Sequence, residues 1–137
     1  MQKEATKLLI PGVFLGDYHK QVGELMEKEL IGLGLLKADE VAKQDPEKPL
    51  YKKYFMHGTS HFLGIDVHDV GLWHEPIVEG MVFTVEPGIY IPDENIGIRI
   101  ENNIVVTKDG QDDLFKDIPR EVEEIEALMA LGKKAFA

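Results

Sequence analysis

Apolar residues recur at helical intervals in two stretches of the amino-terminal part of the chain. Between Asp17 and Leu33 they stand three and four positions apart, which lines one face of an α-helix, and Gly34 is a suitable C-terminal cap. Residues 2–9 have the composition of a shorter helix that ends before Pro11. The pattern therefore predicts a short helix followed by a long one. The apolar positions of the long helix are Tyr18, Val22, Leu25, Met26, Leu30 and Leu33.

The second half of the chain changes from helical spacing to short apolar runs that are typical of strands. MVFTV at 81–85, GIYI at 88–91 and IGIRIENNIVVT at 96–107 are rich in β-branched and aromatic residues. The sequence PDEN at 92–95 predicts a turn between the second and third runs. From Pro119 onward apolar residues again follow helical spacing, which predicts a last helix. Its apolar positions are Val122, Ile125, Leu128 and Met129.

Composition narrows the classes of protein to which this chain can belong. Its 137 residues are 44% hydrophobic and 29% charged, as in one globular domain or a piece of a larger one. A net charge of -10 without a basic stripe argues against nucleic acid as a partner. There is no cysteine, which excludes disulfides and thiolate chemistry. No apolar run could span a membrane and no signal-peptide pattern is found, so we expect a cytoplasmic location.

Candidate chemistry concentrates in HGTSHFLGIDVHDVG at residues 57–71. This stretch holds three of the chain's five histidines, and its three glycines indicate loop rather than helix. No HExxH motif is present, so a helical zinc site is not indicated. A histidine among scattered acids is more often structural than metal-binding, and the stretch alone leaves both interpretations open. His19 follows an apolar position of the long helix and is expected on the surface.

The third predicted strand carries charge on one face. Because side chains alternate along a strand, Arg99, Glu101 and Asn103 point one way. Ile98 and Ile100 then point the other way. The charged face is either the solvent side of the sheet or part of a site, and the strand by itself leaves this open.

A second acid, at the end of another strand, favours a site. Glu86 directly follows the apolar run at 81–85, and a buried carboxylate must be paired or must bind a cation. His61, Glu86 and Glu101 then offer imidazole and carboxylate donors from three segments of the chain. Such mixed ligation suits Mn, Co, Fe or Zn rather than Ca.

Three motifs, in order along the chain, resemble one family. HGTSHFLGIDVHDVG, TVEPGIYIPDENIGIRIENNIVVT and IPREVEEIEALM are similar to the C-terminal part of the Xaa-Pro aminopeptidases (aminopeptidase P). With prolidase and methionine aminopeptidase, these belong to the pita-bread metallopeptidases. The resemblance extends over essentially all of residues 1–137 and includes LLIPGVFLGDYHKQVGELM. It implies an α+β chain, the C-terminal half of a pita-bread fold, with a curved, mostly antiparallel sheet and helices on its outer face.

The resemblance also implies a metal centre. His61 matches the family's histidine ligand, Glu86 matches a ligand of the same ion, and Glu101 matches the carboxylate that bridges two ions. The family holds two divalent metal ions, usually manganese (Mn) or cobalt (Co), with zinc (Zn) as a further candidate. These ions lower the pKa of a bridging water, so that hydroxide attacks the scissile carbonyl near neutral pH.

Three more residues match positions that handle the substrate. His68 matches a histidine that contacts the peptide and steadies the tetrahedral intermediate. His57 matches a wall residue near the proline of the substrate, and Arg99 matches an arginine beside the bridging acid. The expected partner is a peptide with proline at its second position, from which the preceding residue is released. Asp66 and Asp69 are expected to cap the loop or to support the ligands.

One part of the family's pattern is missing from this chain. The family's site also needs two aspartates from an earlier β-hairpin, and no such pair precedes the motifs. We therefore expect a fragment of a larger enzyme that is inactive alone and forms a homo-oligomer through apolar surface left uncovered. Two alternatives remain open, a prolidase-type Xaa-Pro dipeptidase and a pita-bread module that binds peptides without catalysis. The short PDENIG link favours aminopeptidase P, and the retained His61, Glu86 and Glu101 favour an enzyme.

Overall fold

The computed structural model describes residues 1–135, in which helices precede and follow a group of strands. The α-helices are Gln2–Leu8 (α1), Leu15–Gly32 (α2), Ala38–Val41 (α3) and Val122–Ala135 (α4). The strands are Val82–Val85 (β1), Gly88–Ile91 (β2), Ile96–Arg99 (β3), Asn102–Thr107 (β4) and Gly110–Asp113 (β5). Short 3₁₀ helices occupy Leu50–Lys53 and Pro92–Glu94. This is the predicted α+β arrangement.

Helix α2 ends in the predicted glycine cap. Gly34 has a φ of 75°, a left-handed conformation that glycine adopts without steric cost. Its N–H donates to the Ile31 carbonyl at 3.0 Å, and the Leu35 N–H donates to the Leu30 carbonyl at 2.9 Å. These two bonds form a Schellman motif and stop the helix.

The core lies between the first two helices and the three-stranded sheet. β1 pairs with β4 and β4 pairs with β5, all antiparallel, while β2 and β3 form a separate antiparallel pair. Phe83 of β1 and Ile104 and Val106 of β4 are completely buried. They belong to one hydrophobic cluster with Tyr18 and Val22 of α2. The helices therefore cover one face of the sheet, as predicted.

The prediction of one continuous strand at 96–107 is wrong, because Ile100 and Glu101 interrupt it. Extending the register of either flanking ladder places Ile100 opposite Pro87 and Glu101 opposite Glu86. Proline has no N–H to donate to a ladder, so regular pairing stops here. The pairing of β1 with β4 lies on one side of this break, and the pairing of β2 with β3 lies on the other. Two carboxylates consequently lie opposite each other at the break between the two sheets.

Helix α4 begins at Val122 rather than at Pro119, where it was predicted. The N–H of Glu121 donates to Oε2 of Glu124 at 3.4 Å, which is one of the two bonds of a capping box. The apolar positions of α4 were expected to form one face, and they are exposed here: Val122, Ile125, Leu128 and Met129. No helix within residues 1–135 combines the length and the apolar character that a membrane span needs.

Candidate functional site

The segment that carries the central histidine runs along the outer edge of β1. The Glu86 N–H donates to the Thr59 carbonyl at 2.8 Å, and the Thr84 N–H donates to the His61 carbonyl at 3.1 Å. The Thr84 hydroxyl accepts from the His61 N–H at 3.2 Å and donates to Glu86 Oε1 at 3.2 Å. The position of His61 relative to Glu86 is therefore set by strand register.

His61 and Glu86 face each other at this edge. Nε2 of His61 lies 3.2 Å from Oε1 of Glu86, and the side chains are only 16% and 12% exposed. Nδ1 of His61 lies 2.9 Å from the Phe62 carbonyl, which can only accept, so Nδ1 carries a proton. In the neutral ring this leaves the lone pair on Nε2, which is the usual preparation of a metal-binding histidine.

A divalent cation fits between this pair. Two ligand atoms that are each about 2.1 Å from one ion lie roughly 3 Å apart at neighbouring coordination positions. Within residues 1–135, however, no group of three or more His, Cys, Asp or Glu side chains is arranged to hold a metal ion. Glu101 is exposed, and the structure does not join its carboxylate to His61 and Glu86, although the register places it opposite Glu86. The structure therefore brings together two of the three predicted ligands, His61 and Glu86.

Arg99 approaches the same carboxylate from the neighbouring ladder. Its Nε atom lies 3.7 Å from Oε2 of Glu86, while Oε1 faces His61. Half of the Arg99 side chain is exposed, so solvent screens this ion pair. The guanidinium partly offsets the negative charge of Glu86.

His68 packs directly against His61. The two ring centroids are 4.2 Å apart and the rings are nearly perpendicular. The loop between them is closed by Asp69, whose Oδ2 accepts from the Ile65 N–H at 2.8 Å. The Asp69 N–H donates to the Phe62 carbonyl at 3.1 Å. Asp69 is thus a loop cap, as expected, in the loop that carries His68 to the His61 ring.

His57 lies against the β2–β3 hairpin. Its Nε2 is 2.9 Å from the Tyr90 hydroxyl, and its ring packs edge-on against Phe55 at 5.0 Å. A Cβ at Gly88 would lie 2.8 Å from the Tyr90 hydroxyl oxygen and 3.1 Å from His57 Nε2. Glycine at this position therefore leaves room for the hydrogen bond between histidine and tyrosine.

Sequence reasoning missed two residues that shape the site. Thr84 is 2% exposed and bonds to both His61 and Glu86; its signal was a polar residue inside an apolar strand. His19 was expected on the surface, and this was wrong, since it is half-buried with Nε2 3.1 Å from the Ser60 carbonyl. That contact joins segments that are distant along the chain, so helical spacing gave no sign of it.

Comparison with known proteins places the chain among metal-dependent peptidases. Residues 1–108 match metallopeptidase family M24. The chain is 43% identical to an Xaa-Pro aminopeptidase of Escherichia coli (strain K12), over 95% of this chain and 32% of that protein. It is 37% identical to Xaa-Pro aminopeptidase 3 of Rattus norvegicus, over 93% of this chain and 27% of that protein. The chain thus spans about a third or less of the length of these relatives.

Solved structures agree with the fold. Aminopeptidase P from E. coli with the inhibitor Pro-Leu superposes with a TM-score of 0.82 at 39% identity, covering 97% of this chain and 33% of that one. Pseudomonas aeruginosa aminopeptidase PepP gives a TM-score of 0.85 at 37% identity, with 97% and 33% covered. Zinc-substituted E. coli aminopeptidase P in complex with product gives 0.81 at 40% identity, with 95% and 32% covered. The predicted fold, a part of the pita-bread domain, is confirmed.

Proposed function

Because the chain belongs to metallopeptidase family M24, we propose that it forms the C-terminal part of the catalytic domain of an Xaa-Pro aminopeptidase. The complete protein then releases the N-terminal residue of a peptide whose second residue is proline. The observation that carries this proposal is the 3.2 Å approach of His61 Nε2 to Glu86 Oε1. A histidine lone pair and a carboxylate directed at one point suit metal-assisted hydrolysis.

In this proposal His61 and Glu86 would hold a divalent ion, and Glu101, which the register places opposite Glu86, would be a further ligand of the metal centre. Manganese is the first candidate, followed by cobalt and zinc, and the remaining ligands come from residues outside this chain. When bound, such ions activate a water molecule at neutral pH. The Phe62 carbonyl keeps the His61 proton on Nδ1 and so leaves Nε2 available. Arg99 offsets the charge of Glu86.

The other two histidines act on the peptide. His68, whose ring packs against His61, would donate a hydrogen bond to the oxygen that becomes negative in the tetrahedral intermediate. His57 forms a wall near the proline, and its bond to Tyr90 keeps the ring in one orientation. The proline preference is supported by the names of the relatives and by the Pro-Leu inhibitor found with the E. coli enzyme.

A chimeric enzyme tests this proposal. The matching segment of the E. coli Xaa-Pro aminopeptidase is replaced by this chain, and cleavage of a tripeptide with proline in the middle is measured. We expect an active chimera that loses at least a thousandfold in kcat with Glu86→Gln or His61→Gln, because the metal-bound nucleophile is lost. His74→Gln, at an exposed histidine, should leave its activity unchanged.

Two results would contradict the proposed activity. A chimera that folds and retains metal but cleaves no peptide would favour a module that binds peptides without catalysis. A chimera that cleaves only Xaa-Pro dipeptides would favour a prolidase-type enzyme. Metal content and circular dichroism, measured on each preparation, separate these results from a failure to fold.

A further inference from the structure

Tyr18 and His19 of α2 both form hydrogen bonds with Ser60, the residue before His61. The His19 Nε2–H donates to the Ser60 carbonyl at 3.1 Å. The Ser60 hydroxyl donates to the Tyr18 hydroxyl at 3.0 Å, and Ser60 and Tyr18 are both buried. The first turns of α2 therefore bind both the backbone and the side chain of Ser60.

Ser60 stands between the two residues that tie this loop to β1. On one side, the Thr59 carbonyl accepts from the Glu86 N–H; on the other, the His61 carbonyl accepts from the Thr84 N–H. Side chains alternate along an extended segment, so Ser60 points to α2 while His61 points to Glu86. Helix α2 therefore contacts one side of this extended segment, and the His61 ring projects from the other side.

The His19 ring fits closely into its place. A Cβ added to Gly58 would lie 3.2 Å from His19 Cε1, and the Trp73 ring stands edge-on to His19 at 6.2 Å. Burial lowers the pKa of His19, and the opposing effect of the Ser60 hydrogen bond is smaller. The ring is consequently neutral near pH 7, with its proton on Nε2 because a carbonyl can only accept.

We propose that His19 is a positioning residue for the metal-binding histidine, because its bond to Ser60 fixes the place of His61 along β1. The metal-binding role of His61 rests on the proposed function. The hydrogen bond from His19 to Ser60, in contrast, is a contact within the chain itself. Without the Nε2–H donor, the loop around Ser60 loosens from α2. The bonds that Glu86 and Thr84 make to this loop then open more often, and the His61 ring loses its fixed distance from Glu86.

Amide hydrogen exchange in the metal-free 137-residue chain tests directly whether the bond from His19 to Ser60 stabilises the segment that carries His61. His19→Phe keeps an aromatic ring but removes the donor, whereas His19→Gln retains an N–H donor of similar reach. We expect exchange at the Glu86 and Thr84 amides to become roughly fivefold faster in His19→Phe, as for the loss of one net hydrogen bond. His19→Gln and the exposed-site control His74→Gln should exchange as the wild type does.

A second readout connects the hold to the ligand. Isothermal titration with Zn²⁺ alone should show roughly tenfold weaker binding in His19→Phe. This is the lower end of the loss that follows when a contact supporting a metal ligand is removed. His19→Gln should bind Zn²⁺ as the wild type does. If His19→Phe does not fold, His19→Asn, whose amide is too short to reach the Ser60 carbonyl, takes its place in both measurements.

The outcomes separate this inference from the proposed function. Unchanged exchange at Glu86 and Thr84 in His19→Phe would overturn the inference, as would an equal acceleration at Val106, whose amide bonds to Met81 away from the loop. A wild-type chain that binds no Zn²⁺ would show that His61 and Glu86 need the proposed ligands from outside this chain. In that case the exchange rates alone would decide whether His19 positions His61.

Discussion

Nε2 of His61 lies 3.2 Å from Oε1 of Glu86, and the hydroxyl of Thr84 bonds to both residues. One buried hydroxyl therefore links the His61 backbone to the Glu86 carboxylate. Because these contacts follow from strand pairing, the chain itself holds the two residues next to each other.

The chain by itself should nevertheless be inactive towards Xaa-Pro peptides. Its described residues contain no group of three metal-ligating side chains, and metal-activated water requires a firmly held ion. We expect the purified chain with added Mn²⁺ to release no N-terminal residue from a tripeptide with proline in the middle, as followed by chromatography. Turnover that disappears with Glu86→Gln would show that the chain completes the site alone.

Two glycines of α2 should respond in opposite ways to alanine. A Cβ at Gly16 meets nothing within 4 Å, so Gly16→Ala should stabilise the chain by up to about 1 kcal/mol. A Cβ at Gly23 would lie 2.7 Å from the Tyr51 ring, so Gly23→Ala should cost roughly 1–3 kcal/mol. Urea unfolding measures both. Equal effects of the two substitutions would contradict the packing of Tyr51 against α2.

Acid should destabilise the chain through Asp113. Burial raises the pKa of this carboxyl, but the hydrogen bonds from Arg120, at 2.6 Å, and from the Phe115 N–H, at 2.8 Å, outweigh it and hold the pKa below its ordinary value. A lowered folded-state pKa means that this stability is complete above the unfolded pKa, near 4, and is lost as pH falls through the folded pKa.

The pH dependence of the unfolding free energy measures this effect. Between about pH 5 and about pH 2, the wild type should lose more stability than Asp113→Asn does, because the variant has no carboxylate to protonate. Asp109→Asn, at an exposed position in the turn before β5, should follow the wild type. If wild type and Asp113→Asn gave parallel curves, the ion pair with Arg120 would contribute nothing.

An apolar groove should cause the chain to self-associate. The groove lies between α2 and the β2–β3 hairpin, and Leu33 and Ile98 in its lining are each 63% exposed. Apolar surface of this kind is usually covered, and two copies related by a two-fold axis would cover it most simply. We therefore expect a dimer in solution.

Sedimentation equilibrium with one substitution tests the dimer. Ile98→Thr keeps a β-branched residue in the strand but makes the groove polar, so it should shift the chain towards monomer. Val78→Thr, at an apolar position that does not line the groove, should leave association unchanged. A wild-type monomer of 15.4 kDa at micromolar concentration would rule out this association.

Elements that depend on local spacing were predicted from the sequence. Apolar periodicity predicted α2, and the φ of Gly34 confirms its cap. The run at 81–85 predicted β1, and the PDEN turn is present with Asn95 at a φ of 54°, a conformation that asparagine tolerates better than most residues.

Elements that depend on distant partners were not predicted. β5 consists of Gly110–Asp113, with the sequence GQDD, which has low strand propensity and becomes a strand because β4 pairs with it. The strand breaks at Ile100 and Glu101 because Ile100 lies opposite Pro87, and the burial of His19 arises from Ser60. In each case the deciding contact comes from another part of the chain, which periodicity does not detect.

The candidate site, like the fold, was predicted from the sequence only in part. The motif at 57–71 brought His61 and His68 to attention, and the structure places them in contact with each other. Side-chain alternation assumed one continuous strand at 96–107, and this strand is broken at Ile100 and Glu101. Alternation alone would therefore not have predicted that Arg99 lies beside Glu86. The metal-binding and catalytic roles of these residues stay predictions.

The central claim is that His61 and Glu86 lie at the centre of a divalent metal site. Paramagnetic Mn²⁺, added in substoichiometric amounts to the isotope-labelled chain, tests this directly because it broadens nearby amide signals even when binding is weak. We expect signals from residues 60–62, 84–86 and 100–102 to disappear first, and to persist in His61→Gln. Broadening that is instead confined to the acidic stretch at 121–126 would contradict the claim.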